Sequence, residues 1–124
     1  MPTVLVVDDE FGIVQVLADI LTEHDYEVVT AVNGRQAMQR LAERRVDVVL
    51  SDYMMPSLDG PGLLREMQAH EDYRAIPVIL MSSLPPQLPD SAEYRFSSFL
   101  RKPFRVPAVL QAISAALSGS AASG

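Results

Sequence analysis

Short runs of apolar residues alternate along the chain with segments in which apolar residues recur every three or four positions. The runs predict buried strands at residues 4–7, 27–30, 46–51, 77–81 and 99–100. The wider spacing predicts amphipathic helices after the first, second, third and fifth of these strands. Strands that alternate with helices in this way indicate a parallel sheet with helices on both of its faces.

The segment between the fourth and fifth predicted strands departs from this alternation. Pro85, Pro86 and Pro89 stand where the next helix is expected. A proline inside a helix removes a backbone hydrogen bond and clashes with the preceding turn. We therefore expect the fourth helix to be short or replaced by a loop, with irregular chain over residues 84–89 and any helix confined to residues 90–95.

The length of 124 residues fits one domain, which we place at residues 1–118. Residues 119–124 contain only Ser, Ala and Gly, a composition typical of a flexible tail or linker. No apolar run approaches the roughly 20 residues that cross a bilayer, and the run at residues 4–7 is too short for a signal peptide. Together with the absence of cysteine, this favours a cytoplasmic protein.

Composition also narrows the chemistry. Without cysteine the chain has no thiolate ligand, and with only His24 and His70 it cannot form a multi-histidine metal centre. Any metal would be a hard cation bound by oxygen. The net charge of −6 argues against a broad surface that binds nucleic acid or an anionic membrane.

Polar residues with chemical potential follow several predicted strands: Asp8 and Asp9 after the first, Asp52 after the third, Ser82 after the fourth and Lys102 after the fifth. In a parallel sheet these strand ends meet at one edge, where ligands bind. Three clustered carboxylates repel one another unless a cation lies among them, and Mg²⁺ suits such oxygen ligands. A carboxylate beside the ion can attack phosphorus, while the ammonium and the hydroxyl can contact phosphoryl oxygens.

The segments around these residues, at 4–10, 52–60, 77–83 and 99–104, share their residue types and order with one known family. Over residues 3–118 the chain resembles the receiver domains of bacterial two-component response regulators, with an atypical proline-rich region in place of a regular fourth helix. The resemblance implies a flavodoxin-like, doubly wound five-stranded parallel sheet with strand order 2-1-3-4-5. It also implies a phosphorylation-dependent signalling switch rather than a metabolic enzyme.

The resemblance assigns a metal site and a phosphoacceptor. It implies that Asp52 accepts a phosphoryl group from a histidine kinase or a histidine phosphotransfer protein. Mg²⁺ would be bound by Asp9, Asp52 and the backbone carbonyl of Met54, with Asp8 acting through water. The downstream protein target is not identified by any part of the sequence.

The remaining family positions are occupied by Lys102, Ser82 and Phe99. Lys102 and Ser82 would contact the phosphoryl group, and the domain would promote its own phosphorylation and dephosphorylation. Ser82 and Phe99 match the hydroxyl and aromatic switch pair of the family. Met54 and Leu84 are apolar beside the phosphoryl position, which predicts slow dephosphorylation because neither side chain can orient a water molecule.

Two other functions remain open at this point. One is a Mg²⁺-dependent phosphohydrolase with Asp52 as its nucleophile, although such enzymes carry a second aspartate two residues later, where this chain has Met54. The other is a degenerate receiver that serves only as a docking module. The presence of Asp9, Ser82 and Lys102 beside Asp52 argues against that second alternative.

Overall fold

The computed structural model describes residues 1–55, 58–82 and 98–123, and only the backbone at residues 98 and 119–123. Strands and helices alternate through the described residues. The strands are β1 (Thr3–Val7), β2 (Glu27–Ala31), β3 (Val48–Asp52), β4 (Val78–Ser82) and β5 (Ser98–Arg101). The helices are α1 (Phe11–Glu23), α2 (Gly34–Glu43), α3 (Gly60–Ala69) and α4 (Val106–Ser123).

The five strands form one parallel sheet in the order β2-β1-β3-β4-β5. This confirms the predicted doubly wound, flavodoxin-like topology. Val7 at the end of β1 lies beside Ala31 of β2 and Ser51 of β3. Asp52 at the end of β3 lies beside Met81 of β4, so the carboxyl ends of these neighbouring strands reach the same edge.

The core lies on both faces of the sheet because successive side chains of a strand point in opposite directions. Leu5 and Val7 of β1 pack into the cluster that includes residues of α2 and α3. Val4 and Val6 pack into the other cluster, with residues of α1 and α4. A central strand that is buried on both faces needs apolar residues at consecutive positions, which explains the short runs in the sequence.

Two helices begin at side-chain caps. The Asn33 carbonyl oxygen Oδ1 accepts a hydrogen bond from the backbone N–H of Gln36 at the start of α2, at 2.8 Å. Asp59 Oδ1 accepts one from the N–H of Gly62 at the start of α3, at 2.9 Å. Aspartate is a favoured N-cap residue, and the second bond places the start of α3 directly after the loop that follows Asp52.

Three sequence predictions concern the segment before β5, the last residues of the chain and the boundary between domain and tail. The predicted irregular chain over residues 84–89 and the helix confined to residues 90–95 both lie outside the described residues. The backbone of α4 continues to Ser123, so residues 119–123 are helical although their composition favoured a linker; alanine and serine are compatible with a helix. The division into a domain and a tail stays a prediction.

Among the described residues, no helix is long and apolar enough to span a membrane.

Candidate functional site: an acidic pocket at the sheet edge

The candidate site forms where the polar residues that follow the strands converge. Asp8 comes directly after β1, and its backbone N–H donates to the carbonyl oxygen of Ala31 at the end of β2, at 3.1 Å. Lys102 comes directly after β5, and its N–H donates to the carbonyl oxygen of Ser82 at 2.8 Å. These two bonds extend the hydrogen bonding of the sheet by one residue and fix both backbones beside Asp52.

Three carboxylates meet at this edge, as the sequence predicts. One oxygen of each of Asp8, Asp9 and Asp52 lies within 4.8 Å of the other two. Asp8 is fully buried, Asp52 is 8% exposed and Asp9 is exposed to solvent. Two of the three charges are therefore removed from water and depend on the protein, or on a bound cation, for compensation.

Lys102 compensates part of this charge. Its Nζ lies 2.9 Å from Asp8 Oδ2 and 3.3 Å from Asp52 Oδ1. The lysine side chain is only 12% exposed, so water screens these contacts weakly. One ammonium group faces three carboxylates, and the pocket keeps a net negative charge.

The two buried carboxylates differ in how many of their oxygens are engaged. Asp8 Oδ1 accepts a hydrogen bond from the N–H of Glu10 at 2.9 Å, and Asp8 Oδ2 accepts one from Lys102. For Asp52, the N–H of Tyr53 and the ammonium of Lys102 both contact Oδ1, at 3.0 and 3.3 Å. Among the described residues, Asp52 Oδ2 therefore remains available to a metal ion or an incoming phosphorus atom.

The electrostatics of the pocket raise the pKa of both Asp52 and Lys102. Burial of the Asp52 carboxyl and the nearby charge of Asp8 raise its pKa, and the attraction of Lys102 only partly offsets them. Burial alone would lower the pKa of Lys102. Its hydrogen bond to Asp8 and the charges of Asp52 and Asp8 outweigh that effect and raise it. The raised pKa keeps Lys102 protonated, whereas the raised pKa of Asp52 means that its charged carboxylate is less stable than it is in water.

The donor set fits a hard divalent cation. Mg²⁺ binds oxygen ligands and usually takes one or two carboxylates while it keeps several waters. The pocket offers exposed Asp9 and the second oxygen of Asp52, and its remaining negative charge favours a cation. Burial of charged groups without full compensation is unfavourable, which supplies a physical reason for an ion to bind here.

The loop after β3 is anchored at both of its ends. The Tyr53 N–H donates to the carbonyl oxygen of Met81 at 2.7 Å, and the Gly60 N–H donates to the carbonyl oxygen of Tyr53 at 3.0 Å. A Cβ atom at residue 60 would lie 2.6 Å from the carbonyl oxygen of Asp52, so only glycine permits this approach. Met54 follows within the loop and is 63% exposed.

Ser82 and Phe99 lie on the same side of the sheet. Ser82 is buried at the end of β4, and it pairs with Arg101 of β5. Phe99 pairs with Leu80, two residues earlier on each strand, and packs with it in the α2 and α3 cluster. A separation of two residues returns a side chain to the same face. The predicted switch pair is thus placed on one face, and its role stays a prediction.

Sequence patterns carry no signal for the backbone donors of this site. The N–H groups of Glu10 and Tyr53 bind the carboxylates of Asp8 and Asp52 through atoms that every residue except proline has. Only their place one or two residues after an acid at the end of a strand could have indicated them.

The comparisons with known proteins agree with this geometry. Residues 4–114 match the family model described as the response regulator receiver domain. The transcriptional regulatory protein GlrR of Escherichia coli (strain K12) is 38% identical over 120 residues, which are 94% of this chain and 26% of that protein. This chain thus spans about a quarter of the length of that relative.

Two further proteins match over nearly their whole length. The two-component response regulator ORR3 of Oryza sativa subsp. indica is 35% identical over 107 residues, which are 84% of this chain and 82% of that protein. The receiver domain of the sensor histidine kinase PA1611 from Pseudomonas aeruginosa PAO1 was solved with a magnesium ion in its active site cleft. It superposes with a TM-score of 0.84 and 26% identity, over 94% of this chain and 98% of that one. From its fold, its acidic pocket and these matches, the chain belongs to the receiver domain family of two-component response regulators.

Proposed function

We propose that this receiver domain is a phosphorylation-dependent switch of a two-component phosphorelay, acting in the cytoplasm, with Asp52 as its phosphoacceptor. The observation that carries the proposal is the position of Asp52. It is the last residue of β3, it lies beside two further carboxylates, and its Oδ1 is 3.3 Å from the ammonium of Lys102. A nucleophilic carboxylate next to a cation site and a fixed positive charge suits transfer of a phosphoryl group.

The donor is a histidine kinase or a histidine phosphotransfer protein. Asp52 Oδ2 forms a bond to phosphorus while the bond from phosphorus to the imidazole nitrogen of the donor breaks. The electron pair of that bond returns to the imidazole, which takes up a proton as it leaves. The product is an aspartyl phosphate on β3, at the open edge of the sheet.

Mg²⁺ is the cofactor, and its chemistry when bound is to neutralise charge on the phosphoryl oxygens. Asp9, Asp52 and the backbone carbonyl of Met54 are its protein ligands, and Asp8 acts through a water molecule. Both Asp8 oxygens already accept a hydrogen bond, one from Glu10 and one from Lys102, and this prior engagement supports the indirect role. The magnesium ion in the related PA1611 receiver domain supports the choice of metal.

Lys102 and Ser82 contact the phosphoryl group once it is attached. Lys102 is held beside Asp52 by its ion pair with Asp8, so its charge is oriented before the reaction begins. Ser82 ends the strand next to Asp52 and can donate through its hydroxyl. With these groups in place, the domain promotes its own phosphorylation and dephosphorylation, and Ser82 and Phe99 transmit the change to the rest of the fold.

Intact mass measurement with a small phosphodonor tests this proposal. We expect incubation with Mg²⁺ and acetyl phosphate to add one phosphoryl group per chain, and Asp52→Asn to add none. Asp59→Asn is the matched control, because Asp59 caps α3 and asparagine is an equally good cap. Release of many phosphates per chain without an adduct would favour a phosphohydrolase, and no adduct with wild-type protein would favour a docking module; either outcome contradicts the proposal.

A further inference from the structure

A backbone contact joins the start of α2 to the loop between β3 and α3. The N–H of Gly34 donates to the carbonyl oxygen of Leu58 at 2.9 Å. Gly34 is the first residue of α2, and the N–H groups of the first helical turn have no partner within the helix. The loop that follows Asp52 thus supplies the acceptor for a helix-terminal donor.

Only glycine permits this contact at residue 34. A Cβ atom there would lie 2.5 Å from the carbonyl oxygen of Leu58 and 2.7 Å from its Cβ. Because the nearest atom belongs to the backbone, rotation of the Leu58 side chain cannot relieve the overlap. A larger residue at position 34 therefore has to move the loop away from α2.

The start of α2 is itself fixed, so it can hold the loop in place. Asn33 Oδ1 accepts from the N–H of Gln36, and Gln36 Oε1 accepts from the N–H of Val32, each at 2.8 Å. This reciprocal pair is a capping arrangement that orders the first turn. One residue before Val32, the carbonyl oxygen of Ala31 accepts the N–H of Asp8.

Residues 31–34 thus touch both loops that build the acidic pocket. Ala31 contacts the backbone of Asp8 on the β1 side, and Gly34 contacts Leu58 on the β3 side. The bond between Gly60 and Tyr53 closes the base of the β3–α3 loop, and the Gly34 contact holds the same loop from the direction of α2. The short segment that connects β2 to α2 therefore links Asp8 to the loop by a second route, beside the direct pairing of β1 with β3.

We propose that Gly34 is a positioning residue for the metal site. Through Leu58 it holds the β3–α3 loop, which carries the carbonyl of Met54, at the separation from Asp8 and Asp9 that Mg²⁺ requires. The inference rests on the proposed function, because it uses the same metal ligands. By thermodynamic linkage, a contact that promotes Mg²⁺ binding is itself stabilised by Mg²⁺ to the same degree.

Titration calorimetry with MgCl₂ on three glycine variants tests the proposal. We expect Gly34→Ala to weaken Mg²⁺ binding about fivefold or more. Gly62→Ala is the matched control, because the atoms nearest to its Cβ would be side-chain atoms of Leu58 and Asp59 rather than the Leu58 carbonyl oxygen. Gly12→Ala, where the added Cβ has no neighbour within 4 Å, should bind as wild type does.

The outcomes separate this inference from the proposed function. A folded Gly34→Ala with wild-type Mg²⁺ affinity overturns the positioning role, even if its melting temperature is lower, because a purely structural role does not change the affinity of the folded protein. Wild-type protein that binds no Mg²⁺ overturns the metal assignment and this inference together.

Hydrogen exchange on the wild-type protein keeps the proposal falsifiable if Gly34→Ala does not fold. Saturation with Mg²⁺ should slow exchange of the Gly34 amide more than exchange of the Val49 amide, which donates to the carbonyl oxygen of Pro77 in the core of the sheet and reports general stabilisation. Equal slowing of the two amides overturns the proposal.

Discussion

Asp52 is subject to opposing electrostatic influences, and their balance determines how readily its carboxyl group is charged in the metal-free protein. Its burial and the charge of Asp8 disfavour the carboxylate, while Lys102 and the N–H of Tyr53 favour it. The first pair outweighs the second, so the negative charge at this position costs stability in the metal-free protein. A bound cation would offset this uncompensated negative charge and so stabilise the folded protein, which favours metal binding.

This balance predicts that stability without metal falls as pH rises. The fold raises the pKa of Asp52 above its ordinary value of 3.8. At a pH between 3.8 and the raised pKa, the folded state therefore binds more protons than the unfolded state. Above this window Asp52→Asn should melt a few degrees higher than wild type in EDTA, and below pH 3.8 the two should converge. Asp19→Asn, on the exposed face of α1, is the control. An Asp52→Asn variant that melts lower at neutral pH would show that the charge is favourable.

Lys102 should matter for stability as well as for chemistry. Lys102→Met leaves the fully buried carboxylate of Asp8 without its partner, and loss of one partner of a buried pair typically costs about 3 kcal/mol. Urea unfolding at neutral pH measures this loss, with Arg105→Met as the control. Adding Asp8→Asn to Lys102→Met should restore most of the stability. If the double variant is no more stable than Lys102→Met, the pairing energy does not explain the loss.

Met54 predicts a long-lived aspartyl phosphate. Met54 is exposed two residues after Asp52, and its side chain has no polar group to hold a water molecule in line with phosphorus. Met54→Asn should speed phosphate loss several-fold, as followed by the decay of the adduct mass after the phosphodonor is removed. Val16→Asn replaces another exposed apolar residue, on α1, and should leave the decay rate unchanged. Equal decay in all three proteins would remove this explanation.

At the scale of the elements, the sequence predicts the sheet well because the three central strands β1, β3 and β4 are short apolar runs, and a site residue stands at or directly after the end of each. Asp8, Asp52 and Ser82 could be placed at one edge from this pattern alone. The predicted bounds of β3 are less accurate. The apolar run predicts a strand at residues 46–51, whereas the strand begins at Val48 and ends at Asp52. The contact of Gly34 with Leu58 had no signal, because it joins backbone atoms of residues far apart in the chain.

The start of α1 offers an element-scale test of helix stability. Gly12 lies in the first turn of the helix, and a Cβ atom there would meet nothing within 4 Å. Gly12→Ala should therefore raise the free energy of unfolding by about 0.5 kcal/mol, since alanine loses less backbone entropy than glycine. Gly60→Ala, whose Cβ would meet the Asp52 carbonyl, should instead destabilise the protein. Urea unfolding of both variants measures the difference between a position with space for a Cβ atom and one without. Destabilisation by Gly12→Ala would contradict this explanation.

At the scale of the whole molecule, the sheet separates two tasks. Its two buried faces supply the stability, and its carboxyl edge carries a pocket whose charges are not fully compensated. The fold tolerates these incompletely compensated charges because hydrogen bonds to neighbouring strands hold the backbones of Asp8 and Lys102 in place. We propose that the same rigidity transmits a change at Asp52 to Ser82 on the neighbouring strand β4 and from there to Phe99 on β5.

The central claim is that this pocket carries a Mg²⁺-dependent phosphoacceptor at Asp52, and mapping of the modified residue tests it most directly. Borohydride reduces an acyl phosphate to an alcohol, which marks the residue permanently for peptide mass spectrometry. After treatment with acetyl phosphate, the mark should appear at Asp52 with Mg²⁺ and disappear when EDTA replaces the metal. A mark at Asp8, at Asp9 or at an acid outside the pocket, or an unchanged mark in EDTA, would contradict the account.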